Sequence, residues 1–174
     1  MDVAAHYLDD VIVQFEKMKA LGDNAVAQVS DDELTRVLDR ESNSIAIVMR
    51  HIGGNLRSRF TDFLTTDGEK PTRHRDGEFE LPGDTTRQSI VSSWNSGFER
   101  ALDSLRQLQP SDLVREVRIR GERISVVQAL NRSMTHTASH VGQIVWLAKH
   151  LRSATWQTLS IPRGQSEQVN GGTR

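Results

Sequence analysis

At 174 residues the chain is long enough for one domain with a substantial core, and no shift in composition divides it in two. Its 22 basic and 23 acidic side chains nearly cancel, so no global field recommends nucleic acid or an anionic membrane as a partner. The absence of cysteine excludes disulfides, thiolate metal ligands and any nucleophile drawn from the protein's own thiols, so sulfur chemistry would need an external thiol.

The N-terminal stretch from Met1 to Leu21 mixes Asp2, Asp9, Asp10, Glu16, Lys17 and Lys19 with its apolar residues and so lacks a secretory core. No segment approaches the roughly 20 apolar residues that span a bilayer. A cytoplasmic protein with no membrane partner is expected. The same stretch carries Ala4, Leu8, Val11, Ile12, Phe15 and Met18 at helical spacing, which predicts a first helix over about Val3 to Leu21. A short helix follows, because Ser30 and Glu33 form a Ser-x-x-Glu capping box.

The second long helix is expected over about Ser44 to Leu64, with Ile45, Val48, Ile52, Leu56, Phe60 and Phe63 on one side. Gly53 and Gly54 in its middle cost helix stability; close packing of a neighbouring helix accounts for them better than a break. His51 flanks the apolar stripe and is either a satisfied core histidine or a ligand. The polar stretch from Thr65 to Asp84, with Gly68, Pro71, Gly77, Pro82 and Gly83, is longer than most connections in a compact domain. It is equally a lid or binding loop and an exposed crossover. The basic clusters Arg57/Arg59 and Arg73/His74/Arg75 lie among acidic residues, which predicts a solvated, salt-bridged surface.

Thr85 and Gln88 form a second capping box, opening a third long helix that carries Ile90, Val91, Trp94, Phe98, Ala101, Leu102, Leu105 and Leu108 before Pro110 stops it. Val117 and Ile119 then alternate with Arg118 and Arg120, and Gly121-Glu122 supplies a turn, so a small β-hairpin is expected between Val114 and Val126. Ser125 and Gln128 cap the last long helix, whose core stripe is read as Val127, Leu130, Met134, Ala138, Val141 and Val145. Trp156, Leu159 and Ile161 are expected to pack after it and residues 164–174 to form a flexible tail, which predicts a single domain over residues 1–163.

His136 and His140, four apart on that last helix, share a face with Ser133 and Gln143. Two imidazoles so placed can aim at one ion, and a third from another helix would complete a facial set with a coordination position left open. Thr137 stands where the glutamate of a His-Glu-x-x-His protease motif would be, so no general base is built in.

Five stretches together resemble the DinB-like superfamily (DinB/YfiT-like metal-binding bundles) over nearly the whole chain. They are Glu41 to Ile47, His51-Ile-Gly-Gly-Asn55, Thr61 to Pro71, His136-Thr-Ala-Ser-His140-Val-Gly-Gln143, and Leu159 to Gly164. The resemblance implies a mainly α fold, an up-down-down-up four-helix bundle, commonly dimeric. It also implies a divalent metal on His51, His136 and His140, whereas His6, His74 and His150 match no ligand position. Its studied relatives are metal-dependent hydrolases and transferases that conjugate thiols such as bacillithiol or mycothiol. On that basis the expected cofactor is zinc or nickel, with a small-molecule substrate and an external low-molecular-weight thiol as a candidate cosubstrate. Asn55 and Gln143, one turn beyond ligands, are candidates to orient substrate or a ligand, or else ordinary helix-surface residues. The rival reading is a non-catalytic, stress-associated metal-binding protein.

Overall fold

The computed structural model describes residues 2–167. Among the described residues there are five α-helices: α1 (Val3–Val26), α2 (Asp31–Thr35), α3 (Ile45–Phe60), α4 (Arg87–Gln107) and α5 (Val126–Arg152). A two-stranded antiparallel hairpin, β1 (Glu116–Ile119) with β2 (Glu122–Ser125), precedes the last helix. Among the described residues no helix is long and apolar enough to cross a membrane. Most of the flexible tail expected over 164–174 lies outside the described residues.

The caps are local and explain most of the boundaries. Asp2, Ser30, Ser44, Thr86 and Ser125 each accept a backbone N–H of the first turn of α1 to α5 respectively. The box at α4 is Thr86 with Ser89, one residue later than the Thr85/Gln88 pair read from the sequence. In that box the Ser89 hydroxyl takes the place a glutamine would fill. α1 runs past Leu21 to Val26, because Asp23 on its last turns accepts the buried Trp94 indole N–H at 2.8 Å. α3 ends at Phe60 rather than Leu64, where Asp62 adopts a positive φ of 47°.

The hairpin turn is Arg120-Gly121, not Gly121-Glu122. Glu122 already pairs with Ile119 in the strands. Arg120 and Gly121 have φ of 56° and 78°, the left-handed pair that a two-residue turn requires. The cost of placing an arginine there is offset by Asp67, whose carboxylate accepts both turn N–H groups at 2.8 and 2.7 Å. The long connection is thereby tied to the hairpin, and Gly68 extends the tie by donating to the Arg118 carbonyl at 2.8 Å.

α3 is the central element, packed chiefly on α4 and also on α5. Thirteen of its residues are buried, from Ile45 to Phe60. The glycine pair stays helical. A Cβ on Gly53 would lie 2.5 Å from the Ser93 carbonyl oxygen of α4, and one on Gly97 would lie 2.7 Å from Gly53 itself, so two glycines let the helix backbones touch. Phe15 of α1 closes the core edge-on against Phe60 at 5.8 Å and Phe98 at 6.5 Å.

The inward row of α5 differs from the stripe expected for it. Val126, Ala129, Leu130, Ser133, Thr137, Val141, Ile144, Leu147 and Ala148 are buried, while Ala138 is exposed and Val127, Met134 and Val145 are only partly covered. Polar Ser133 and Thr137 disguise the true row, since a reading by apolar spacing passes over them. The consequence is functional: His136 and His140 flank the buried face.

Candidate metal centre

α3 delivers His51 to the interior with 4% of its surface exposed, and α5 delivers His136 and His140, both half-buried. One ring nitrogen from each of the three lies within 4.8 Å of the others, so these histidines could hold a metal ion. The Nε2 atoms of His51 and His136 are 3.3 Å apart. Their outer nitrogens are what make the convergence chemically specific.

Nδ1 of His51 sits 2.9 Å from Oε2 of Glu78, and Nδ1 of His140 sits 2.9 Å from Oε1 of Gln143. Both partners are acceptors, so each imidazole carries its proton on Nδ1, and in the neutral ring Nε2 is a bare lone pair facing inward. His136 points its own Nε2 at the same spot, while its Nδ1 is buried without a hydrogen-bond partner. Three converging nitrogens therefore share at most one proton, an arrangement that repels itself and suits a cation. Burial first, then the neighbouring His140 and His51 rings, push the His136 pKa down to about 4. Burial likewise lowers that of His140, so both rings are ready to act as ligands near neutral pH.

Glu78 was not legible as a site residue. It lies in a single 3-10 turn, Asp76–Phe79, within the polar connection that sequence could place only as a lid or a crossover. The turn is clamped over His51. Arg73 grips the Glu78 carboxylate through two bonds of 2.8 Å, Arg50 donates to the Gly77 carbonyl at 3.1 Å, and the Phe79 ring lies 4.8 Å from the His51 ring. Burial pushes the Glu78 carboxyl up, but the Arg73 guanidinium and the His51 ring outweigh it and hold it ionised below the ordinary range. Gly54 makes the approach possible, because a Cβ there would collide with the Glu78 carboxylate. A glycine three residues beyond a histidine was the one sequence signal that something docks there.

The solvated, salt-bridged surface expected around the basic clusters holds for exposed His74 and Arg75, whose partner Asp76 is also exposed, but not for Arg59 and Arg73. The Arg73 side chain is 5% exposed and that of Arg59 11%, and both pair with Glu69. Of the two other candidates, Gln143 is exposed and holds His140 from the same helix, whereas Asn55 is buried and lines a cavity beside His51. That cavity, about 180 Å³, also has His136, Ser133, Phe60 and Phe63 in its wall. It gives the histidine cluster one side that is not filled by protein.

No curated protein matches the chain. The sequence model of one family, described as Protein of unknown function (DUF1572), matches residues 2–165, and that family falls within the DinB-like clan. The chain, with its three converging histidines, belongs to the DUF1572 family.

Proposed function

We propose that the protein is a metal-dependent enzyme that activates water or a low-molecular-weight thiol, acting as a hydrolase or a thiol S-transferase. The observation that carries this reading is the convergence of three imidazole nitrogens, two of them with their outer nitrogens fixed by Glu78 and Gln143, beside a cavity. The four long helices are read as an up-down-down-up bundle, and the active form as a cytoplasmic homodimer. Imidazole donors without carboxylate or thiolate favour zinc or nickel over magnesium or calcium.

A divalent ion held by His51, His136 and His140 would lower the pKa of a water or thiol ligand and so supply a nucleophile near neutral pH. The protein's own contributions are positional and electrostatic. Glu78 fixes the tautomer and tilt of His51, as outer carboxylates do for ligating histidines. Gln143 does the same, more weakly, for His140. Burial of His136 keeps that ring unprotonated. Phe60 and Phe63 exclude water from one wall of the cavity. With no cysteine in the chain, any thiol consumed must come from solution.

A closed fourth position would favour a non-catalytic ion, and the cavity at His51 and His136 argues against it. The test is to follow loss of 1-chloro-2,4-dinitrobenzene with added thiols, and of 4-nitrophenyl acetate without them, using zinc- or nickel-loaded protein. Turnover that disappears on chelation and in His136→Ala is expected. Equal rates with and without metal would contradict an enzymatic role.

A further inference from the structure

The cavity beside the histidines has a charge pattern that metal binding does not require. Arg59, Arg75, Arg120 and Arg132 all line it, and among the described residues no aspartate or glutamate does. A buried or half-buried group of like charges is costly unless something offsets it, so the partners of these guanidiniums decide what the cavity can hold.

Those partners are weak or shared. Arg132 pairs with Glu122 at 3.1 Å and Arg75 with Asp76 at 3.5 Å, but these carboxylates are 63% and 97% exposed, and such pairs contribute little. Arg59 and Arg120 both lean on Glu69, each at 3.0 Å, and Arg73 takes the same carboxylate at 3.3 Å. One acid thus serves two of the wall's guanidiniums, while Arg73, outside the wall, is held chiefly by Glu78. Burial pushes the Glu69 carboxyl up, yet the arginines win and hold it below the ordinary range. Positive charge is left in excess along the wall.

Part of the lining is apolar. Phe60, Ile119 and Ala129 are each less than 5% exposed and meet the same space. Half-exposed Arg75, Arg120 and Arg132 mark its solvent side, and His51 and His136 its metal side. We propose that this cavity takes a small organic anion whose apolar body lies against Phe60 and Ile119 and whose charged group is held by Arg75, Arg120 and Arg132. The inference deepens the enzymatic reading and rests on it for the site's purpose: the arginines select an anionic substrate and present its uncharged end to the histidines. Guanidinium forks bind carboxylates and phosphates through paired hydrogen bonds, which gives both affinity and orientation. The volume of about 180 Å³ limits the bound portion to a compact group.

The test uses benzoate as the anion and benzamide as its neutral isostere, titrated calorimetrically into the metal-free full-length protein. Without metal, any preference reports the arginines alone. Benzoate is expected to bind at least about tenfold more tightly than benzamide, the scale of a charge-assisted hydrogen bond. Arg132→Gln and the double variant Arg75→Gln/Arg132→Gln should reduce or abolish that preference, while Arg115→Gln, outside the cavity, should keep it. Both cavity positions are half-exposed, so folding is retained, and the single variant carries the test if the double one does not express. Equal affinities, no benzoate binding, or an unchanged preference in Arg132→Gln would overturn the proposal. A protein that prefers benzoate yet retains no metal would leave this inference standing and sink the metal reading; one that holds metal without the preference would do the reverse.

Discussion

The two helices that supply the histidines support them in different ways. On α3, His51 is almost fully buried and is held by a carboxylate 27 residues away, itself locked by a bidentate arginine. On α5, His140 is held by Gln143, one turn along the same helix and exposed to solvent. The first support is long-range, charged and dry; the second is local, neutral and wet. The difference locates the rigid reference of the site at His51, against which the α5 pair is positioned. It also assigns the connection between α3 and α4 a purpose, since that connection delivers Glu78.

Breaking the α3 side should cost most. Glu78→Ala is expected to weaken zinc or nickel binding about 10–100-fold, measured by competition with a chromophoric chelator, because outer-sphere partners of ligating histidines typically count for that much. Glu78→Gln keeps an acceptor and should fall between the variant and wild type. Gly54→Ala attacks the same contact from the helix, forcing the carboxylate away from His51. A loss of up to about tenfold is expected there, with the helix content by circular dichroism unchanged. Gln143→Ala should cost no more than about threefold, since water can replace an exposed acceptor. Equal losses from Glu78→Ala and Gln143→Ala would erase the comparison.

The pH dependence sharpens it from the α5 side. The His136 ring titrates near 6.5 when unfolded and near 4 in the fold, so between those values the unfolded chain binds a proton that the folded chain declines. The metal-free protein should therefore lose stability as pH falls from 6.5 toward 4, whereas above 6.5 this ring contributes no slope. Thermal melts of metal-free wild type and His136→Asn at pH 7 and pH 5 check this: the variant should show the smaller drop.

The His136/His140 pair was legible because a four-residue spacing on a regular helix has one geometric meaning, whereas His51 joined it only through the family resemblance, and the fold brings the three rings together. The sequence also carried the long helices, the hairpin and the Gly53–Gly54 continuity, since caps and apolar periods are local. What escaped was non-local or masked. Glu78 sits in irregular polar chain with no period to read, and its partner His51 is remote in sequence. Ser133 and Thr137 broke the apolar row of α5, which turned the inferred stripe away from the true inward face. The hairpin turn was displaced because its left-handed arginine is secured by Asp67 from a different segment. The arginine-lined cavity draws on α3, the connection, the hairpin and α5, and no single stretch of sequence announces it.

The most direct test is elemental analysis of full-length protein equilibrated with zinc or nickel and then desalted, beside His51→Ala and His140→Ala treated alike. Close to one ion per chain in wild type and almost none in either variant is the expected result. Wild-type protein that retains no ion, or variants that retain as much as wild type, would contradict a shared three-histidine site.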